Sequence, residues 1–342
     1  MSLSRRVRWS LDIGARAFGV LAACEARMRR GLTVLTYHRV LPEERCASYP
    51  FPALVISEAA FAAQVAWLAQ RCEVLPLGQA LPLAQSGAKP RRPLVSITFD
   101  DGYADNHDLA APILEANGVR ATFFVTTGFL EASRPLWFDR GAELLRAADA
   151  ARAARAAART SGFASAPSED PPGALLGWLE ALKRESAELR ERFLSALESE
   201  SGRAVPLTGY EPMTRAEVLA LHRRGHELGS HSQTHPILPS LGDEELRAEI
   251  AGSRELLQQW SGAPLEGFCY PNGDCDERVL AAVRDAGYRY ACTTRDGVAG
   301  AGDDPLALPR ICVTHHAIAA ANGRFHLTAF RAEVSRFHAL WR

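Results

Sequence analysis

The chain has no charge excess, no cysteine framework, no long apolar span and no internal repeat, and each absence removes a class of function. Its 39 Lys and Arg balance 40 Asp and Glu. With no global basic field and no aromatic-basic RNA motif, nucleic acid is excluded as the main partner. Cys24, Cys46, Cys72, Cys269, Cys275, Cys292 and Cys312 are scattered without a CxxC pair. An odd number without a framework reads as free thiols in a reducing compartment, most of them small buried hydrophobes. Neither a Walker-type nor a dinucleotide-binding glycine pattern occurs. The apolar run 17–24 is short, and Asp12 and Arg16 interrupt what precedes it. Neither a secretory core nor a membrane span is therefore expected, and the expected location is cytoplasmic.

What is present supports a sizeable core: 342 residues at 47% hydrophobic content, enough for one large domain or two ordinary ones. Residues 1–30 read as an amphipathic helix. Val7, Leu11, Phe18 and Leu21 share one broad face, and Arg5, Arg8, Asp12 and Arg16 lie opposite. With Trp9 near its start, such a helix can lie on an anionic membrane surface or pack on the domain itself, the commoner use of such a face.

Residues 32–38, 73–77, 93–99 and 120–126 read as strands. Residues 57–71 and 108–117 read as helices, the first capped by Ser57 and the second closed by Gly118. The alternation indicates a parallel sheet covered by helices. It breaks after about Gly128. Residues 144–159 are Ala/Arg-rich and helical, 160–173 form a loop rich in Ser, Pro, Gly and acidic residues, and 175–200 are helical again. Residues 131–212 are thus expected to be a helical insertion in an α/β domain covering 31–342. Beyond it, Thr214 and Glu217 form a capping-box signature. Helices are expected over 243–260 and 277–286, and strands over 225–230, 267–271, 288–293 and 307–313. Several β/α units ending in polar residues point to a distorted (β/α) barrel, in which chemistry collects at the carboxyl ends of the strands.

Asp100 and Asp101 follow the strand 93–99. Alone, Asp-Asp-Gly is a common turn. Far downstream, His231 and His235 stand four residues apart, a spacing at which a helical turn presents both imidazoles on one face. Two adjacent carboxylates in a closed site cannot both ionise cheaply unless a cation compensates, so one can hold a metal while the other takes a proton. The four residues together point to a divalent metal site. Zn2+ suits histidine and carboxylate most often, and Co2+, Ni2+ or Mn2+ also fit. Two histidines and a carboxylate suit Fe(II) of a non-haem oxygenase as well, but the second aspartate and the α/β pattern count against it. Tyr103 and Asn106 just after the aspartates are candidates to line a substrate cleft. Trp137, Phe138 and Trp178 can stack on sugar or lipid, though packing between helices is the commoner role. His107, His222 and His226 are expected to be structural.

Thr98-Phe-Asp-Asp-Gly102 resembles the first motif of the NodB-homology polysaccharide deacetylases, carbohydrate esterase family 4. His231-Ser-Gln-Thr-His235 matches their second motif, Gly225-His-Glu-Leu-Gly-Ser230 is similar to its usual lead-in, and Phe268-Cys-Tyr-Pro-Asn-Gly273 resembles a variant third motif. The resemblance spans roughly 32–315 apart from the insertion. It implies a distorted (β/α) barrel with Asp101, His231 and His235 on the metal and Asp100 as general base. A water made acidic by the metal would attack an acetamide carbonyl, and a backbone N–H, that of Tyr270, would help hold the oxyanion.

The chain departs from the family pattern in three places. The usual C-terminal Leu-x-His is not clean. Val313-Thr-His315-His316 is one source of the general acid. Leu35-Thr-Tyr-His38 is the better one, and resembles the Tyr-His motif of a subgroup with permuted motif order. Cys269 stands where the third motif usually carries an arginine, and Arg310 in Leu308-Pro-Arg-Ile is the candidate to supply that charge. The fourth-motif tryptophan has no counterpart in 293–297.

The function implied is metal-dependent removal of N-acetyl groups from an amino sugar in a polysaccharide or lipid-linked glycan. A non-catalytic glycan-binding protein, an O-acetyl esterase and an amidase on small cyclic amides are the alternatives. A position at the inner face of the membrane, through residues 1–30, would suit a lipid-linked precursor.

Overall fold

The computed structural model describes residues 19–87, 90–130, 132, 134–147, 150–164, 174–314 and 325–337. Strand β1 (Leu32–Tyr37) and strand β5 (Leu94–Phe99) run parallel and in register, from Leu32 opposite Leu94 to Tyr37 opposite Phe99. This ladder closes a barrel. Between its two members the sheet runs through β10 (Leu308–Cys312), β9 (Tyr290–Asp296), β8 (Gly267–Cys269), β7 (Glu227–Ser230) and β6 (Thr122–Val125), all parallel. The short β4 (Glu73–Val74) adds to the start of β5, and β2 (Arg39–Leu41) pairs with β3 (Val55–Ser57) outside the barrel. The distorted (β/α) barrel expected from the sequence is thus a closed ring of seven parallel strands.

The parity of β5 decides which way its carboxyl end points. Val95, Ile97 and Phe99 join the outer core with Phe61, Val65 and Leu68 of the helix Glu58–Arg71. Leu94 packs instead on the inner set of Leu32, Val34, Cys269, Cys292 and Leu308. A period of two then puts Ser96, Thr98 and Asp100 on the inner side. Both faces of the strand are covered, which is why all six residues are buried and read as a nearly continuous apolar run. The helix Leu77–Gln85 packs Leu77, Ala80 and Leu81 on the inner set. Its first N–H groups reach Thr122 Oγ1 (2.9 Å) and Glu227 Oε2 (3.0 Å), the first residues of β6 and β7, so it plugs the end where the strands begin. The opposite end is left for chemistry.

Local signals hold where they were strongest. Ser57 Oγ accepts the Ala60 N–H (3.4 Å), and Thr214 and Glu217 exchange both bonds of a capping box (3.3 and 2.7 Å). Within the insertion, 131–212, the described residues form four helices, Trp137–Leu145, Ala150–Ser161, Ala174–Lys183 and Ala187–Ser201. The sequence suggests only two. The first starts earlier than expected, at Trp137, and Ser186 starts a new helix by accepting the Leu189 N–H (3.2 Å). These helices have their own core around Phe163, Trp178, Leu182, Phe193 and Leu197. The buried Ala153, Ala154 and Ala157 let the second helix approach the fourth closely. Arg140 of the first helix bonds Glu191 (2.7 Å) and Glu198 (2.8 Å) of the fourth.

Residues 1–18 of the amphipathic segment lie outside the described residues. Its continuation, Val20–Arg27, is helical, and Leu21 and Cys24 pack against Ala332 and Phe337. No helix among the described residues is long and apolar enough to cross a membrane.

Phe193 stacks on Trp178 with ring centroids 5.6 Å apart and is fully buried. Phe193→Ala is expected to lower unfolding stability by about 3–5 kcal/mol, read from the denaturant midpoint; a loss below about 1 kcal/mol would contradict a close-packed insertion core.

Candidate active site

The barrel ladder continues one step past β5, where the Asp100 N–H donates to the Tyr37 carbonyl (3.0 Å). The chain then turns sharply: Asp101 has φ 77° and Gly102 φ 95°. The turn brings the Asp101 carboxylate to the loop that follows β7. His231 Nε2 lies 3.5 Å and His235 Nε2 3.4 Å from Asp101 Oδ1. The two histidines are not on a helical turn, as their spacing suggested. Strand β7 ends at Ser230, and Ser232 (φ 66°) and His235 (φ 56°) take left-handed backbone, with the His235 N–H held by Ser232 Oγ (3.1 Å). The tight loop itself, not helical periodicity, faces the two rings toward one point.

The three groups have the chemistry of an N,N,O cation site. His231 Nδ1 is 2.7 Å from the Cys269 carbonyl, which can only accept, so Nδ1 carries the proton and Nε2 presents a lone pair toward Asp101. Both Asp101 oxygens and His235 Nδ1 are buried without a hydrogen-bond partner. Burial, and then the neighbouring Asp100 charge, push the Asp101 carboxyl well up; burial pulls both imidazoles down. Burying a bare carboxylate among imidazole lone pairs is costly unless a cation joins them. The residues present therefore fit a divalent metal.

Asp100 is satisfied differently. Arg310 Nη1 and Nη2 donate to its two oxygens (2.8 and 2.7 Å). Burial alone would raise the Asp100 carboxyl, but the Arg310 charge and its two bonds outweigh this and hold it well below the usual carboxylate range. Arg310 is fixed in turn by the Thr293 carbonyl (3.0 Å), Thr98 Oγ1 (3.2 Å) and Cys269 Sγ (3.1 Å). The guanidinium missing from the third motif thus arrives from β10, beside the cysteine that replaces it. His38 Nε2 lies 3.9 Å from Asp100 Oδ2, and burial, against the attraction of Asp100, pulls its imidazole down to about 4. At 18% its side chain is the most exposed of these five acidic and imidazole groups, so it is the one a substrate reaches first. His315 and His316 lie outside the described residues.

Three expected substrate contacts are fully buried and make other bonds. The Tyr270 N–H donates to the Cys292 carbonyl (3.1 Å) and its hydroxyl to the Leu306 carbonyl (2.8 Å), so neither is available to an oxyanion or a sugar. The Tyr103 hydroxyl donates to Asp139 Oδ2 (2.5 Å), and its ring lies 4.3 Å from the Arg39 guanidinium carbon. Asn106 Nδ2 donates to the His38 carbonyl (2.8 Å), holding the backbone of His38. His226 is structural, accepting the Ala121 N–H at Nδ1 (3.2 Å) and donating from Nε2 to Glu115 (3.0 Å).

The insertion contributes side chains whose contact with the site the sequence does not signal. Trp137 Nε1 donates to the His235 carbonyl (3.2 Å), and the Phe138 ring lies 5.2 Å from the His235 ring. Asp139 is buried and accepts from Tyr49 (2.8 Å) and Tyr103; burial lifts its carboxyl to about 6 despite these donors.

The polysaccharide deacetylase family model matches residues 87–161 and 186–291, more than half of the chain, and the chain belongs to that family. The Bacillus subtilis protein YxkH, which bears polysaccharide deacetylase as a provisional name, is 22% identical over 284 residues, covering 83% of this chain and 71% of its own. A peptidoglycan-N-acetylglucosamine deacetylase of Bacillus cereus is 30% identical over 67 residues, 20% of this chain and 31% of that protein. Among solved structures, the Streptococcus pyogenes deacetylase PplD in complex with acetate superposes with TM-score 0.56 at 18% identity, covering 83% of this chain and 92% of that one. IcaB from Ammonifex degensii gives TM-score 0.56 at 19% identity, covering 90% and 97%. At such identities the structural likenesses speak for the fold.

Arg310→Met would leave the Asp100 carboxylate buried and unpaired. The expected cost is about 3–5 kcal/mol at neutral pH. In the parent protein the contribution of Asp100 is full above the ordinary carboxylate range and is lost as pH falls through its depressed value. In the variant the carboxyl shifts up, so protonation relieves the penalty and the gap to the parent narrows in acid. Urea unfolding at several pH values measures it; a gap that widens in acid would refute this account.

Proposed function

We propose that this protein hydrolyses the N-acetyl group of an amino sugar carried in a polysaccharide or lipid-linked glycan, using a divalent cation held by Asp101, His231 and His235. The observation that carries the reading is the buried, partnerless Asp101 carboxylate facing two imidazole nitrogens. A cation bound there, Zn2+ or one of Co2+, Ni2+ and Mn2+, would polarise the acetamide carbonyl and make a water more acidic.

The chain's own groups divide the proton work. Arg310 keeps Asp100 ionised, hence able to accept a proton from the attacking water, and also makes it a weak base, so the reaction needs that water acidified. His38, neutral at rest and 3.9 Å from Asp100, would take up the proton that Asp100 accepts from the water and pass it to the leaving amine. The Trp137 helix covers the His235 side of the site. A non-catalytic glycan binder was suggested by Cys269 at the arginine position, and the Arg310 fork on Asp100 removes that motive.

Acetate release from N-acetylglucosamine oligomers and lipid-linked acetylated sugars is expected, abolished by chelator and restored by added Zn2+. Asp100→Asn is expected to lower it about 100- to 10,000-fold. Turnover that survives complete metal removal would sink the mechanism.

The basic amphipathic pattern of residues 5–16 supports peripheral contact with anionic lipid at the inner face of the membrane. The full chain is expected to sediment with vesicles containing phosphatidylglycerol and to leave them at high salt. Protein that stays in the supernatant at low salt would rule this out.

A further inference from the structure

A cleft of about 400 Å³, lined by Arg45, Arg146, Arg203, Tyr49, Tyr210 and Glu143, opens between the segment after β2, the first insertion helix and the chain returning to the barrel. None of these residues takes part in the chemistry above.

Its charge is only partly neutralised from within. Arg45 Nη2 donates to the Gly209 carbonyl (3.2 Å) and Arg146 Nη1 to the Ser48 carbonyl (2.8 Å). These acceptors are neutral, so they orient each guanidinium without cancelling its charge. Gly209 has φ 91°, and a Cβ there would collide with the Arg45 guanidinium, so the glycine is what lets that arginine settle. Arg203 is exposed and has no side-chain partner among the described residues. Against three guanidinium groups the lining holds one carboxylate, Glu143, which lies 3.6 Å from Arg146 and accepts the Tyr210 hydroxyl (2.5 Å). Tyr49 and Tyr210 form an aromatic wall, ring centroids 6.0 Å apart.

The cleft is also joined to the cation site. Tyr49 donates to Asp139 (2.8 Å), and the preceding residue, Phe138, packs its ring on His235. Consecutive residues of one helix therefore back the two places.

We propose that this cleft binds a phosphate group of the glycan substrate. Three guanidinium groups can engage more oxygens than one carboxylate offers, and planar forks on a tetrahedral anion are a strong charge-assisted pairing. The tyrosine wall suits the sugar ring next to that phosphate. The assignment rests on the deacetylase reading for the substrate's identity, but not for anion binding itself.

Isothermal titration of the full chain with inorganic phosphate tests the site directly. Binding is expected to weaken at least tenfold in Arg146→Gln/Arg203→Gln, and to fall as NaCl is raised. Arg203→Gln alone, which breaks no described contact, should weaken it severalfold at unchanged melting temperature. Equal binding in parent and variants, or none in the parent, overturns the proposal. Deacetylation is then compared between di-N-acetylchitobiose, its 1-phosphate and a prenyl-diphosphate-linked N-acetylglucosamine. A KM at least tenfold lower with the soluble 1-phosphate, lost in the double variant, assigns soluble sugar phosphates. A gain confined to the prenyl-linked probe assigns lipid-linked glycans, and no gain with either overturns the substrate assignment. If none of the three releases acetate, the deacetylase reading fails while the titration still decides the anion site.

Discussion

Two carboxylates that follow one another at the mouth of a barrel would repel and largely remain protonated if nothing intervened. The fork between Arg310 and Asp100 resolves this by giving one of them a permanent counter-charge. Asp101 is then the carboxylate left without a donor, facing two imidazole nitrogens. The same guanidinium touches Thr98 at the end of β5, Cys269 on β8 and Thr293 on β9. A buried pair of this kind adds little net stability over an apolar replacement, but removing one partner is severe. Its effect is to give the two aspartates different surroundings and to tie β5, β8, β9 and β10 together at the barrel's carboxyl end.

Much of this was legible in the sequence because it depends on short-range rules. Strand parity aims Asp100 inward, a property of period two alone. The aspartate and histidine pairs carry the resemblance, and Arg310 stood out as the cation nearest the expected last strand. What could not be read depends on where the backbone turns. Tyr103 and Asn106 follow the aspartates directly, yet the left-handed turn at Asp101 and Gly102 sends the next residues into the interior. Tyr270 directly follows β8, and its N–H is taken by the neighbouring strand. The spacing of His231 and His235 imitated a helix because tight loops can also converge two rings. Trp137 and Phe138 meet His235 across almost 100 residues of chain, and no local pattern reports such a meeting.

The backbone around the cation site is held away from its preferred conformations. Of five non-glycine residues with positive φ among the described residues, Asp101, Ser232 and His235 belong to it. Each such residue costs on the order of 1–3 kcal/mol and persists only where surrounding contacts over-determine it. Here the contacts are visible: Asp101 accepts the Thr126 N–H through its carbonyl, and the Ser232 carbonyl accepts that of Thr127. The loop after β6 thus braces the Asp101 turn and the histidine loop at once, through main-chain bonds.

The insertion has two unequal parts. Its later helices meet mainly each other, around Trp178 and Phe193, and can drift in sequence so long as that small core stays filled. The Trp137–Leu145 helix has no such freedom, because it faces that core on one side and His235 on the other. In a lineage that diversified this region, length and composition would vary beyond residue 150, while the Trp-Phe-Asp triplet would change only together with the histidine loop it touches. The insertion is in that sense an outer module packed on itself and an inner helix tied to the histidine loop.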